Sequence, residues 1–237
     1  MFKFIYNCFN NLSKYRNIYY EGFKITFLLS VFGTIGAFIL SWFLLLFKGL
    51  PQNSKRIKTV TKYFFKSLNT IVNAYIFIIK SVPMMVQAML FYYGLKNTGY
   101  FKWLNPFWGG FIVITFNSTA YIAEAMLKNL EFFDRGQIEA ALSLGMTPRQ
   151  TLKKVVLPQV VQRSLLRIIN EFIVNVKDSC VFGVIGLMEL FGAAERIRAF
   201  SSYTIVFFNV SLIYLALVGL ATFVLKKLEI KLGNKNA

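Results

Sequence analysis

The chain has 237 residues, 56% of them hydrophobic and 17% aromatic, with a formal net charge of +17 and no histidine. The lack of histidine excludes histidine-ligated metals, Ser-His-Asp triads and histidine proton relays. Apolar runs of about 20 residues, without strand-like alternation, give an all-α polytopic membrane protein, and the cations gather between those runs, which ties them to topology and anionic lipid and not to nucleic acid.

Residues 1–20 are aromatic and basic without a long apolar core, and are expected to form an interfacial segment along the membrane surface. Nothing in them resembles a cleavable signal. Cys8 and Cys180 lack zinc or redox spacing, and Cys180, inside a predicted span, reads as a small buried residue. The first span runs from about Phe23 to Phe47. Gly33, Ala37 and Ser41 recur on it every four residues, either as a face for close helix packing or as small residues turned to lipid. A basic loop follows, with Lys48, Lys55, Arg56, Lys58, Lys62 and Lys66 and a turn at Pro51.

The second span begins near Lys62 and is interrupted at Ser81-Val82-Pro83, because the residue before proline avoids the helical region and proline has no N–H to donate. Apolar residues resume through Leu95, and helical spacing puts Asn69, Asn73, Lys80 and Gln87 close to one face. The third span, about Trp108 to Lys128, contains Asn117-Ser118-Thr119-Ala120-Tyr121 and then Glu124.

The stretch 134–158 is a polar, punctuated interruption. Asp134 is a good N-cap and Gln137 stands where a capping box would close. The helix from Arg135 to Leu144 meets Gly145, suited to a left-handed C-cap. Thr147 then caps a second helix with Pro148 at its first position and Gln150 three after the cap, and Pro158 is expected to kink or end it. Val160 to Leu187 is a further span. On it Arg163, Arg167, Asn170, Glu171, Asn175 and Asp178 share roughly half the circumference, a face that must line a cavity or a subunit contact. Residues 188–202 form a short helix outside the membrane, carrying Glu189, Glu195, Arg196 and Arg198. The last span, about Tyr203 to Leu225, precedes Lys226, Lys227, Lys231 and Lys235.

Counting about five spans puts the loop at 48–66, the stretch 134–158 and the C-terminal end on one side, the more basic and hence cytoplasmic one. Lys96, Lys102, Arg196 and Arg198 fall opposite. So do Lys3, Lys14, Arg16 and Lys24, against the trend, with the N-terminus outside.

Glu139-Ala140-Ala141, then Gly145, then Leu157-Pro158, at these spacings, resembles the EAA signature of bacterial ABC-importer permeases. The Asn117–Glu124 run and Lys177-Asp178-Ser179 are similar to further elements of the amino-acid branch of that family. The segment from Phe77 to Gln87 is also similar, although Lys80-Ser81-Val82-Pro83 stands where the family has Arg-Gly-Thr-Pro. The resemblance implies a transmembrane domain over 21–230 with a cytoplasmic helix-turn-helix coupling loop at 134–158, and leaves 231–237 as a basic tail. It implies that Glu139, Ala140, Ala141, Gly145, Leu157 and Pro158 couple the chain to an ABC ATPase dimer. Further partners would be a second permease subunit, identical or related, and an extracytoplasmic substrate-binding protein. No cofactor is expected in this chain. It has no Gly-x4-Gly-Lys-Ser/Thr phosphate loop, so ATP and Mg would belong to the partner.

Glu124, Lys177 and Asp178, with Asn117 and Lys80, are the candidate substrate-pathway residues, because acidic and basic groups together complement the ammonium and carboxylate of an amino acid. Internal pairing, Glu124 with Lys128 or Arg167 with Glu171, is the alternative. Other substrates, such as an osmolyte or a metal chelate, fit the same signature. A channel or secondary transporter would have no use for the docking loop, and a membrane enzyme would need a catalytic cluster, for which the chain offers no His or Cys/His set.

Overall fold

The structure, a computed structural model, describes residues 2–49 and 59–233. The expected turn at Pro51, with Lys55, Arg56 and Lys58, lies outside the described residues, as do Lys235 and the side chains of Lys48, Lys62, Lys66 and Lys231. Only helices occur among the described residues. In order they are α1 (Phe2–Lys14), α2 (Arg16–Gly49), α3 (Thr59–Ser81), α4 (Met84–Asn97), α5 (Pro106–Glu131), α6 (Arg135–Ser143), α7 (Pro148–Thr151), α8 (Leu157–Asp178), α9 (Leu190–Arg198) and α10 (Tyr203–Gly233).

Among the described residues three helices, α2, α5 and α10, are long and apolar enough to cross a membrane, and four spans result if the pair α3 and α4, broken at Ser81–Pro83, counts as one. Helix α8 falls short by composition, as its charged and amide-bearing face dictates. Its 22 residues are nonetheless long enough for a span. The helix count is therefore in rough accord with about five spans. Three boundaries differ from expectation, one being the end of α10, which runs on to Gly233 past Leu225. Helix α2 begins at Arg16, well before Phe23. Helix α8 gives way after Asp178 to a tight 3-10 segment, Ser179–Ile185, which ends at Gly186 with φ +83°, so the expected helix to Leu187 is cut short where Gly183 and Gly186 flank β-branched Val184 and Ile185.

The chain divides into two compact units. The first comprises Met1–Thr34, Pro83–Thr115 and Phe172–Ala237. Its cores gather Leu29, Tyr92, Ile114 and Phe182 in one cluster and Tyr19, Leu190, Ile197 and Val206 in another. A Cβ at Gly33 would overlap Cγ2 of Ile114, and one at Gly22 would lie 2.7 Å from the Cβ of Ala193. Only glycine admits approaches that close. Asn175 Nδ2 donates to Thr34 Oγ1 at 2.9 Å, which satisfies one polar group of α8 inside the unit.

The second unit comprises Ile35–Val82 and Phe116–Glu171, with a core of Leu45, Ile122, Met126, Val156 and Leu157. Ala37 and Ser41 are fully buried here, and Ser41 Oγ donates to the Thr119 carbonyl at 3.2 Å. The small-residue face of the first span is thus a packing face. In lipid such contacts rest on dispersion and hydrogen bonds, because hydrocarbon tails remove the hydrophobic drive between helices.

Candidate functional site

The hairpin 134–158 is built from its caps. Asp134 Oδ1 accepts from Gly136 N at 2.9 Å and starts α6. At the other end Gly145 takes φ +82°. Gly145 N donates to Leu142 O at 3.0 Å and Met146 N to Ala141 O at 3.2 Å, the paired bonds of a Schellman motif. Thr147 and Gln150 close a reciprocal capping box, Thr147 N donating to Gln150 Oε1 at 2.8 Å and Gln150 N to Thr147 Oγ1 at 3.3 Å.

Two local expectations are corrected. Gln137 does not reach back to Asp134; it accepts from Gln159 Nε2 of α8 at 2.8 Å, so a tertiary partner wins over the local box. Of the two outcomes expected at Pro158, a kink or an end, the second does not occur. The chain passes from α7 through a π-helical turn, Leu152–Val156, directly into α8. A wide turn accommodates a residue without an N–H, because it relieves the clash of the proline ring with the carbonyl four residues earlier.

These bonds leave Glu139 and Ala140 exposed and turn Ala141 and Leu157 inward. Leu144, at the corner, is 84% exposed. Behind the corner a crevice of about 190 Å³ is lined by Phe133, Ile138, Leu142, Pro148 and Leu152 among others. The hairpin is tied to α8 by Gln137–Gln159, and α5 is tied to α8 by Asn129 Nδ2 donating to Ser164 Oγ at 2.8 Å.

The pathway candidates divide between the units. In the second, Lys80 Nζ donates to Glu124 Oε2, and Lys128 Nζ lies 3.1 Å from Glu124 Oε1. The internal pair Glu124–Lys128 therefore forms, and so does Arg167–Glu171, at 2.9 Å with Glu171 buried. Sequence reasoning missed the residue between these pairs. Tyr121 presents its ring to Lys80 Nζ and to Arg167 Cζ, each 5.3 Å from the centroid, which is cation–π distance. Its spacing three residues before Glu124 on α5 was the available signal. A cavity of about 400 Å³ opens beside the cluster, lined by Asn73, Phe77, Lys80, Ser81, Glu124 and Lys128 among others. Asn117 is half-buried on α5 in the same unit.

Lys177 and Asp178 belong to the first unit, Lys177 exposed and Asp178 half-buried. Gln87 lies on α4, a helix separate from that of Lys80, so the expected single face of Asn69, Asn73, Lys80 and Gln87 ends at the break. The first unit also holds an acid that sequence reasoning placed only on a short helix outside the membrane. Glu189 is fully buried, caps α9 by accepting from Phe191 N and Gly192 N at 2.8 Å each, and accepts from Tyr214 Oη at 3.2 Å. Burial raises its pKa above the ordinary 4.5, against those hydrogen bonds. Among the described residues no acidic or cysteine cluster is arranged to hold a metal.

Comparison with known proteins supplies the frame for this geometry. The family described as the binding-protein-dependent transport system inner membrane component matches residues 59–233, which include the whole hairpin. The chain belongs to that family. It is accordingly a multi-pass membrane subunit of an ABC importer. The family's partners are an ATPase and a binding protein, so ATP hydrolysis resides on a separate subunit. The chain is 32% identical over 213 residues to the probable glutamine ABC transporter permease protein GlnM of Bacillus subtilis, covering 88% of each chain. It is 31% identical to the arginine transport system permease protein ArtQ of the same organism, over 91% of this chain and 93% of the other. A crystal structure of an amino acid ABC transporter with histidines superposes with a TM-score of 0.78 at 28% identity, over 93% of this chain and 96% of that one.

Proposed function

We propose that this permease subunit imports polar amino acids, passing them from an extracytoplasmic binding protein to the cytoplasm by alternating access. The observation that carries the reading is the hairpin. Its Schellman corner and capping box hold Glu139, Ala140 and Leu144 outward on a short, stiff element bonded to α8. A partner that pushes on this corner moves the helices behind it, and a flexible loop would absorb the push. Glu139, Ala140, Ala141, Gly145, Leu157 and Pro158 are then the coupling residues, with 134–158 as the coupling loop inside a transmembrane domain over 21–230. Relatives named for glutamine and arginine support the substrate class, as does the mixture of acid, cation and amide at Glu124, Lys80 and Asn117 in the second unit and at Lys177 and Asp178 in the first.

An ABC ATPase dimer offers two grooves and one chain offers one hairpin, so the functional unit contains two permease subunits, identical or related. The hairpin and the basic tail 231–237 are cytoplasmic. The N-terminus is outside, and α1 lies along the membrane surface, residues 16–20 of the expected segment 1–20 belonging to α2. The test is ATP-dependent uptake in vesicles holding the permease, its ATPase and its binding protein, with glutamine and arginine as substrates and glycine betaine and a metal chelate as comparators. Uptake of either amino acid is expected. Uptake of a comparator alone overturns the substrate class, and failure of the ATPase to copurify overturns the coupling role of the hairpin.

A further inference from the structure

Helix α1 has three faces, and each meets a different environment. Helical spacing places Phe4, Cys8 and Asn11 on one side, Phe2, Ile5, Phe9 and Leu12 on the next, and Lys3, Asn7, Asn10 and Lys14 on the third. The first side packs on the protein. Cys8 and Asn11 are buried, and the Phe4 ring meets Phe208 of α10 edge-on at 5.3 Å between centroids. The polar knot at this contact is dense. Asn11 Nδ2 donates to Ser201 Oγ at 2.8 Å, Tyr19 Oη donates to Asn11 Oδ1 at 2.8 Å, and Asn209 Nδ2 donates to the Cys8 carbonyl at 2.9 Å. Helix α1 is thereby fixed in rotation against α2 and α10.

With rotation fixed, the second side is aimed outward. Phe2 is 91% exposed, Phe9 73% and Ile5 55%, with Tyr6 at their margin 70% exposed. No soluble helix carries such a face uncovered without cost, and α10, to which α1 is clamped, is itself an apolar span largely unburied within the chain. The apolar side of α1 therefore continues the lipid-facing surface of α10. The third side is polar and basic. Lys3, Lys14 and Arg16 stand in residues 1–20 with no acid among them; the first is Glu21. A helix of 13 residues is about 20 Å long, short of the roughly 30 Å hydrocarbon layer, so it lies in the interface and does not cross it.

We infer that α1 is an anionic-lipid-binding element. Phe2, Ile5 and Phe9 enter the acyl boundary, while Lys3 and Lys14 of α1, with Arg16 at the start of α2, gather anionic phospholipid headgroups at the base of α2 and α10. The inference rests on reading α1 as interfacial, and is independent of the transported substrate. The alternative occupant of the apolar side is a second copy of the chain.

The test uses the full-length permease in vesicles, with Cys8 and Cys180 changed to serine and a bimane attached at Phe9→Cys. Acyl-brominated phosphatidylglycerol and acyl-brominated phosphatidylcholine are compared as quenchers at equal mole fraction. Both should quench, with an advantage for the anionic lipid of about five-fold, what one cation at the surface supplies. The variant K3Q/K14Q/R16Q should retain quenching and bring the ratio to one. Absence of quenching by either lipid overturns the inference in favour of a protein-covered face. Quenching without headgroup preference overturns the anionic-lipid assignment. Because the readout is quenching and not uptake, an inactive transporter with a normal lipid ratio would count against the import reading alone.

Discussion

Gly145→Val puts the hairpin to its most direct test, because the structure isolates one physical cause. Nothing lies within 4 Å of a Cβ built at Gly145, so an added side chain meets no steric obstacle. What remains is φ +82°, a region that costs an L-residue roughly 1–2 kcal/mol, with β-branched residues at the upper end. Holding against that strain are the two corner bonds, Gly145 N to Leu142 O and Met146 N to Ala141 O, each contributing about 0.5–1.5 kcal/mol net. Strain and bonds are of the same size. The corner should therefore open in a substantial fraction of molecules, the closed-to-open ratio falling about 5- to 30-fold.

Since the cause is backbone conformation and not volume, substitutions should rank by tolerance of the left-handed region. Asn should be closest to wild type, Ala intermediate and Val worst. The assay is ATP-driven uptake and binding-protein-stimulated ATPase activity in vesicles, with copurified ATPase as the control for assembly. Uptake should fall more than copurification does, because a loosened corner still docks but transmits less movement. Wild-type coupling in Gly145→Val, or Asn as damaging as Val, would refute the argument.

Glu139→Lys reverses an exposed charge on the proposed docking face and should lower copurification of the ATPase several-fold, while thermal unfolding of the permease in detergent stays within about 0.5 kcal/mol of wild type. Glu124→Gln and Asp178→Asn should each change the affinity or rate of uptake; if both transport as wild type does, the pathway assignment of these acids is wrong. Glu189→Ala removes the acceptor for two backbone N–H groups and Tyr214, and should destabilise the fold by about 1–3 kcal/mol. With its pKa raised on folding, the Glu189 contribution is complete below 4.5 and is lost as pH rises through the elevated folded value. Glu189→Gln should therefore flatten a decline in thermal stability above pH 4.5, and an unchanged pH profile would remove Glu189 as its source.

The parts of the fold legible in the sequence were those written in local chemistry. Thr147-Pro148 with Gln150, Gly145 at the corner and the break before Pro83 each specify a conformation from a few adjacent residues, and each is present in the structure. Where a distant partner decided, sequence reasoning lost the answer. Gln137 has a sound local role at its cap and a better bond to Gln159 of α8. Pro158 would stop an isolated helix, but a π turn absorbs it when α8 continues beyond. Glu189 precedes a short helix as a residue type with little N-cap preference, and only the packing of α9 shows it buried. Tyr121 stood inside the Asn117–Glu124 run without being a pathway candidate, and only the structure sets it between two cations.

The charge balance at the cavity bears on how a permease of this kind can release what it admits. Glu124 accepts from both Lys80 and Lys128, and the side chains of Lys80 and Glu124 are each about one-third exposed. Pairs so placed contribute only about 0–1 kcal/mol each. In the proposed pathway, a zwitterionic substrate entering the cavity exchanges its ammonium for a lysine at Glu124 and its carboxylate for Glu124 at that lysine. The exchange is nearly balanced in both directions, so it gives orientation with little net affinity. A site with unpaired cations would hold a carboxylate far more tightly and would have to be emptied at a matching cost in every cycle. Tyr121 adds to the same effect, since its ring keeps Lys80 and Arg167 partly satisfied whether or not a substrate is present. Under the proposed pathway, selectivity would fall to the binding protein, with the permease orienting and passing its cargo.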